Sequence, residues 1–426
     1  MAATPQPSSP DRLAVLRGPV PPRHHDARTI AALTGNPGCE RRAVLDAAGV
    51  DKRALAERIG FGARFGQSPF AIGRGNAFEK LVKSDGGATL LGLLRDELGL
   101  AIGSPDSEPG SSEGADLWID LGEGDREQRY RRTRELVAAA AREPETQPAL
   151  VDHPLLRLDV GGRAAYVEPD LVALRVRGDG SAAEGVWRWQ LAEIKSFAMI
   201  DGRADPVKVA AAATQAAVYV LAFQALLADL GLPVGQVATE VVLICPKDFG
   251  NRPTAALVDV RRQLAAVRRQ LDRLPRVADL VDTLEAGVTF DLSRDGDGEP
   301  AVDASQLGKS VATIEARYAP ECVSRCDLAF YCRDEARAAG STDLLGRAVR
   351  DSLGGIGTVR EVLASSESAS PSHWDVPYLG PETTGDSGDG FGGADRAEAA
   401  RLLGVARRAR REALREAENR AREGAA

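Results

Sequence analysis

Two short segments carry residues whose types and spacing can do chemistry. YVEPDLVAL holds Glu168, Pro169 and Asp170, and WQLAEIKSF holds Glu193, Ile194 and Lys195. Side chains alternate along a strand, so Glu193 and Lys195 share one face while Ile194 points to the other, where it can anchor a core. If the two segments pair through VRGDGSAAEG, Asp170 stands beside Glu193. Two adjacent carboxylates form an oxygen-donor site suited to a hard divalent ion such as Mg²⁺ or Mn²⁺. A neighbouring ammonium can orient or help deprotonate a metal-bound water, or stabilise a phosphorane-like transition state. A Glu-x-Lys triplet by itself usually marks a solvated strand face. WQLAEIKSF is otherwise apolar, however, and charges on a mostly buried strand are costly unless paired or used.

Two more patterns accompany these strands. In the helical stretch TQAAVY, Gln215 and Tyr219 stand at i, i+4 and share a face. Upstream, GNAFEKLV places Glu79 on a helix. A second chemistry lies in the five cysteines. ECVSRCDLAFYC holds Cys322, Cys326 and Cys332, three thiols where a closed thiolate site takes four ligands. Cys245, in EVVLICP, reads as a small core residue. Cys39 follows a turn and opens a helix in GNPGCERRAVLD, where unpaired backbone N–H groups favour an anionic ligand atom.

The elements that must position these groups follow from length and patterning. The chain has 426 residues, 43% hydrophobic and 5% aromatic, with a formal net charge of −8. That charge argues against a generic electrostatic nucleic-acid binder and leaves room for a local basic groove. No run of about 18 apolar residues exists, and the N-terminus lacks a basic segment followed by an apolar one. The expectation is a cytoplasmic protein, in which clustered cysteines bind metal or do catalysis more often than they form disulfides.

Along the chain, residues 1–28 read as a disordered tail and CERRAVLDAAG as a helix ending at Gly49. Residues 60–76 read as a Gly/Phe/Arg loop, followed by two helical patterns broken at Gly86-Gly87. Residues 104–114 form a polar linker, and REQRYRRTRELVAAAAREP a charged helix. LLRLDVGG, RAAYVEPDLVALRVRG and GVWRWQLAEIKSF read as three consecutive strands of a meander. A long alanine-rich helix, a fourth strand at VATEVVLICP and a helix at RRQLAAVRRQLDRL follow. The expected fold class is α/β, a short central mixed sheet flanked by helices. The domain spans 29–345 with an insertion near 101–150, then a largely disordered linker at 346–395 and a charged helix at 396–426. No internal repeat is visible.

With the residues in this order (helix with Glu79, PD strand, ExK strand, QxxxY helix), the chain resembles the PD-(D/E)XK nuclease superfamily, of the RecB-like kind, over roughly residues 30–340. The resemblance implies a restriction-endonuclease-like core. It implies Mg²⁺ or Mn²⁺ held by Glu79, Asp170, Glu193 and the Ile194 carbonyl, with Glu79 standing where many relatives carry His. Lys195 would position the attacking water, and Gln215 and Tyr219 would support the substrate strand or Lys195. One N-terminal cysteine plus a C-terminal triplet resembles the iron–sulfur subset, the AddB type and the CRISPR-associated exonucleases. This implies a structural 4Fe–4S cluster on Cys39, Cys322, Cys326 and Cys332, joining the two ends of the domain. The triplet here is C-xxx-C-xxxxx-C, one residue longer in its first gap than usual for that subset. Four-thiolate zinc is the alternative, with His153 as an outside ligand candidate. The implied function is a metal-dependent deoxyribonuclease, expected as an exonuclease, in DNA repair, recombination or anti-phage defence, with DNA and a helicase or defence protein as partners. The alternatives are a non-catalytic DNA-end or helicase-binding module on the same fold, and a cytosolic redox sensor.

Other signals are weaker. QLGKS lacks the glycine a phosphate-binding loop needs, because Asp303 stands there. GFGARFG and GRGNAF follow no strand and so make no dinucleotide fingerprint. Arg64 and Arg74 are candidates for phosphate contacts. Glu168 reads as exposed or outside the ligand set, His24 and His25 as part of the tail, and the final basic and acidic helix as a solvated face.

Overall fold

The computed structural model describes residues 9–62, 69–102, 117–160, 163–176, 187–273, 276–285, 287–368 and 393–423. These form two compact units, residues 1–55 with 63–314, and residues 56–62 with 315–426. In the first unit, α1 (Ser9–Arg17), α2 (Ala27–Leu33) and α3 (Glu40–Ala48) precede α4 (Lys52–Arg58), whose last turn belongs to the second unit. Then come α5 (Pro69–Lys83), α6 (Ala88–Gly92), β1 (Trp118–Asp120), α7 (Arg126–Ala140) and β2 (Leu150–Asp152). Four strands follow, β3 (Leu156–Val160), β4 (Arg163–Val167), β5 (Leu171–Val176) and β6 (Trp187–Ile194). The unit continues with α8 (Pro206–Asp229), β7 (Glu240–Pro246), β8 (Pro253–Asp259), α9 (Arg261–Leu271), α10 (Arg276–Thr283) and α11 (Ala304–Ala312).

A mixed six-stranded sheet in the order β1-β2-β5-β6-β7-β8 is the frame of the first unit, and β3-β4 make a separate ribbon. β6 is its central strand, with every side chain from Trp189 to Ile194 buried. Its sequence is accordingly apolar on both faces. β6 and β7 run parallel and are joined by the crossover helix α8, the connection a parallel pair requires. One face of the sheet packs Leu150, Leu171, Ala192, Ile194 and Val242 against Phe78, Val82 and Leu90 of α5 and α6. On the other face α8 lies over the sheet. Its Phe223 ring stands 5.2 Å from Trp189, and its Ala212 packs on Leu243 and Cys245. By length and composition α8 could cross a bilayer, but it is mostly buried in the core.

The second unit holds α12 (Ala329–Ala338), α13 (Arg347–Ser352), α14 (Val359–Ser368) and α15 (Gly393–Glu423). Phe61 packs edge-on against Tyr331 at 5.2 Å, and α14 lies against α15.

Several expectations are corrected by this architecture. Residues 9–28 are ordered: the Leu16 carbonyl accepts from the Phe290 N–H, Arg17 donates to the Ala48 carbonyl, and His25 is buried. Residues 69–76, read as loop, open α5 with Pro69 in its first turn, where a missing N–H costs nothing. RAAYVEPDLVALRVRG is two strands, because Pro169 cannot donate to a ladder and the chain leaves the ribbon there for the main sheet. Three strands were missed. β1 and β2 are three residues each, too short to show a period; β1 falls in the expected insertion near 101–150 and β2 at its end. β8 closes the far edge. Residues 347–352 and 359–368 of the expected linker are helical, and the division between the units falls at 314/315, not 345. The α/β class, α8, β7, α9 and the helix ending at Gly49 (φ 69°) are as expected. The polar linker 104–114 and Arg64 lie outside the described residues.

Gly87 (φ 94°) makes the turn between α5 and α6 possible. A Cβ there would stand 2.7 Å from Trp118 and 2.9 Å from Leu150. Gly87→Ala is therefore expected to lower stability by about 2 kcal/mol or more, through left-handed strain plus overpacking. Urea unfolding measures this, and an unchanged midpoint would mean that β1 and β2 are not wedged against this turn.

Candidate metal centre

The register of the sheet assembles the site at one end. Asp120 pairs with Asp152 between β1 and β2, Asp152 with Leu171 between β2 and β5, and Leu171 with Ala192 between β5 and β6. One step further along that register, His153, Asp170 and Glu193 form a row across three strands. Side-chain alternation puts Asp152 on the opposite face from Glu193, and His153, at φ 49°, departs from the strand and turns its ring to Asp152, Asp120 and Glu79. Glu193 and Lys195 project towards α8, whereas Asp152 projects towards α5, where Lys83 and Glu79 stand one turn apart.

On the α8 side, the Asp170 carboxylate accepts from the Ile194 N–H at 2.8 Å through Oδ2. That bond fixes Asp170 against the neighbouring strand. Glu193 is only 1% exposed. Its Oε1 accepts from the Lys195 ammonium, while its Oε2 is buried with no hydrogen-bond partner in the structure. Lys195 Nζ also lies 3.9 Å from Asp170 Oδ2. Burial, reinforced by the Asp170 charge, pushes the Glu193 carboxyl up to about 8. Burial likewise raises Asp170, with Lys195 opposing. Burial pulls Lys195 down, but Glu193 and Asp170 outweigh it and hold the ammonium charged beyond its ordinary range. On α8, the Gln215 amide donates to the Tyr219 hydroxyl at 2.7 Å. Tyr219 is buried, and burial with the Glu193 and Asp170 charges keeps its phenol protonated.

On the α5 side a second network lies close by. Lys83 Nζ contacts Glu79 Oε1 at 2.5 Å and Asp152 Oδ1 at 2.6 Å. His153 places Nε2 3.5 Å from Glu79 and Nδ1 3.1 Å from Asp120 and 3.2 Å from Asp152. Hydrogen bonding to Asp152, then Glu79, raises the imidazole to about 10. The bond from His153 lowers Glu79 to about 2. Asp120, Asp152 and His153 are the one set of three or more metal-binding side chains among the described residues whose ligand atoms lie within 4.8 Å of one another. Here that set is neutralised by Lys83 and the His153 cation.

Asp170, Glu193, Lys195, Gln215 and Tyr219 thus come together as expected. Glu79 reaches Asp170 and Glu193 through its charge, but its carboxylate bonds to Lys83 and His153. Glu168 is partly exposed and pairs with Arg129 at 3.0 Å, outside the site. His153, considered only as an outside zinc ligand, belongs to this carboxylate network. Missed were Asp120, Asp152 and Lys83, and Arg28 of α2, which acts electrostatically on Lys195 and Tyr219. For Lys83 a signal existed: Glu79 and Lys83 stand at i, i+4 on an amphipathic helix. For Asp120 and Asp152 none did, since their strands are too short.

The cysteines are distributed over both units. Cys39 caps α3 in the first, without a side-chain cap bond. Cys322, Cys326 and Cys332 lie in the second, on turns closed by Cys326 N–H to Cys322 carbonyl (2.8 Å) and Cys332 N–H to Leu328 carbonyl (3.0 Å). Cys245 is fully buried, and burial lifts its thiol to about 12. No family model, curated protein or solved structure matches the chain.

Glu193 gives a stability prediction with a definite sign. In the folded protein it keeps its proton up to about 8, whereas in the unfolded chain it loses it in the ordinary carboxylate range. The native state therefore binds the extra proton between those limits, and metal-free stability falls as pH rises through that window. Glu193→Gln removes the penalty. The metal-free variant should be more stable than the parent by on the order of 2 kcal/mol at about pH 9, with the difference vanishing at about pH 4. Denaturant unfolding at the two pH values checks this; a variant less stable at both would overturn the assignment.

Proposed function

We propose that the chain is a divalent-metal-dependent nuclease acting on DNA phosphodiester bonds. The observation that carries this reading is the buried Glu193 carboxylate, with one oxygen unpartnered, set between Asp170 and the Lys195 ammonium. An orphaned buried oxygen in an all-oxygen donor set fits a hard cation. Asp170, Glu193 and the Ile194 carbonyl would hold Mg²⁺ or Mn²⁺, with Glu79 as a third carboxylate. A bound ion of this kind lowers the pKa of coordinated water and neutralises phosphate charge.

The remaining work falls to the protein's own groups. Lys195 is held charged by two carboxylates, so it is a poor base. It donates hydrogen bonds, orienting the attacking water and stabilising charge that grows on the phosphoryl oxygens. Tyr219 stays protonated and, tied to Gln215, offers a fixed polar edge to the substrate backbone. Lys83 and protonated His153 hold Glu79 ionised and limit the repulsion among five nearby carboxylates. The four-motif order supports the same reading through its resemblance to RecB-like enzymes, for which a role in repair, recombination or anti-phage defence, with a helicase or defence protein as partner, is the proposal.

Purified protein with Mn²⁺ is expected to cleave end-labelled single- or double-stranded DNA. Lys195→Ala should lose two to three orders of magnitude in rate, roughly the loss of one charge-stabilising donor, with an unchanged circular dichroism spectrum. Equal cleavage by Lys195→Ala would remove that role. DNA binding without cleavage by the parent, in either metal, would favour the non-catalytic binding module.

The four-cysteine reading is part of the same proposal. Cys39, Cys322, Cys326 and Cys332 supply the count of four thiol donors that a 4Fe–4S cluster takes, and this count supports the reading. Anaerobically purified protein should contain iron and acid-labile sulfide, both lost together with the fold in Cys39→Ser. Stoichiometric zinc without iron would replace the cluster by a four-thiolate zinc site, and a metal-free, fully folded protein would remove both.

A further inference from the structure

A recess of about 350 Å³ opens beside the carboxylate site, within the first unit. Arg74 and Phe78 of α5, Phe197 after β6, Lys208 of α8, and Asp248 and Phe249 of the β7–β8 turn line it. It adjoins the site through the chain itself: Ser196 follows Lys195, and Phe78 precedes Glu79. Phe249 is 93% exposed, so its ring is accessible to a ligand at the mouth of the recess.

The backbone presents that ring deliberately. Asp248 has φ 53° and Asp201 φ 49°, both in the left-handed region that non-glycine residues rarely occupy. The two turns are clamped together. Asp248 N–H donates to the Met199 carbonyl at 2.9 Å, and Asp201 N–H donates to Asp248 Oδ1 at 3.1 Å. Among the described residues only one other non-glycine has positive φ, His153, itself in the site. His153 lies in the carboxylate site, Asp248 lines this recess, and Asp201 is hydrogen-bonded to Asp248. Two exposed cations, Arg74 and Lys208, face the opening, while the Asp248 carboxylate is engaged by the Asp201 amide.

From these observations we propose that the recess is a nucleotide subsite. It takes one unpaired nucleotide of a nucleic-acid strand, the base against Phe249 and the phosphate between Arg74 and Lys208. This rests on the nuclease reading for its direction, since it feeds the strand towards Lys195. Three features select this occupant. The volume is at the scale of a small-molecule pocket. Cations beside aromatic walls match a phosphate beside a base, and stacking is open to any base because each has a π-face. A paired base has both faces already stacked, so Phe249 discriminates against duplex.

The test is fluorescence anisotropy of a labelled oligo-dT and of a labelled blunt duplex, with full-length protein in EDTA so that no cleavage intervenes. Phe249→Ala should weaken oligo-dT binding by about 5-fold to 150-fold, the range for losing one stacked base, and duplex binding by less than about 2-fold. Phe249→Trp should restore it. Lys208→Ala should reduce the slope of log K against log salt by about 1. Because Phe249 is exposed, its variants should unfold at the parent's midpoint. Unchanged oligo-dT binding in Phe249→Ala, or equal losses for oligo-dT and duplex, would overturn the subsite. If the parent does not cleave DNA yet binds oligo-dT in a Phe249-dependent way, the subsite stands and the nuclease reading falls. If the parent cleaves and Phe249→Ala binds and cleaves unchanged, the subsite falls alone.

Discussion

The repulsion between Asp170 and Glu193 is the constraint around which the rest of this end of the first unit is arranged. Strand pairing forces the two carboxylates together, and burial of Glu193 removes the water that would screen them. A protein can tolerate such a pair by protonating one member, by importing a cation, or by doing each at different times. Here the metal-free state does the first, with Glu193 pushed up to about 8, and uses Lys195 for part of the second. The unpartnered Glu193 oxygen marks where cationic compensation stops short. A site left one positive charge short of balance is poised to bind a cation, and its affinity rises with pH as the Glu193 proton becomes easier to displace.

That arrangement explains why a second charge network lies so near. Glu79 is attractive as an additional oxygen donor, but a third free carboxylate would deepen the repulsion. Lys83 and His153 prevent this by pairing with it, and Asp152 and Asp120 in turn hold those cations. The imidazole is raised to about 10 and Glu79 lowered to about 2, so this pair stays ionised across the physiological range. It sets the position of Glu79 through charge rather than through packing. Its members come from α5, β1 and β2, elements far apart in sequence, so the sheet register is what assembles it.

How far this was legible in the sequence depends on element length. Glu193, Ile194 and Lys195 sit on an eight-residue strand, long enough for alternation to assign faces, and Asp170 follows from its pairing. Gln215 and Tyr219 lie on a 24-residue helix, whose length makes their i, i+4 spacing readable as one face. Asp120 and Asp152 end strands of three residues, below the length at which a period of two can be seen, and the glycines after Asp120 mark a turn without marking the strand before it. Arg28 was hidden for another reason. The Pro-, Arg- and His-rich segment before it has the composition of a disordered tail, yet its backbone is held by contacts from residues such as Arg23 to Gly49 and Leu16 to Phe290, which no local pattern announces. Tertiary pairing, not propensity, orders that segment.

An acidic protein proposed to act on a polyanion must place its few useful cations with care. The formal charge of −8 means that long-range attraction does not gather DNA over the whole surface. Arg28 acts on Lys195 from α2, Lys195 stands at the end of β6, and Arg74 and Lys208 face the neighbouring recess. These cations lie at the same end of the sheet as the carboxylates that would hold the metal. With a Debye length of about 8 Å at physiological salt, these cations act on the substrate only at short range, while the molecule as a whole repels it. Binding then depends on short-range contacts more than on net charge. The same logic favours recruitment by a partner that already holds DNA, because diffusion from bulk has no steering field to exploit, whereas a strand delivered to the recess would find both its phosphate and its base recognised at once.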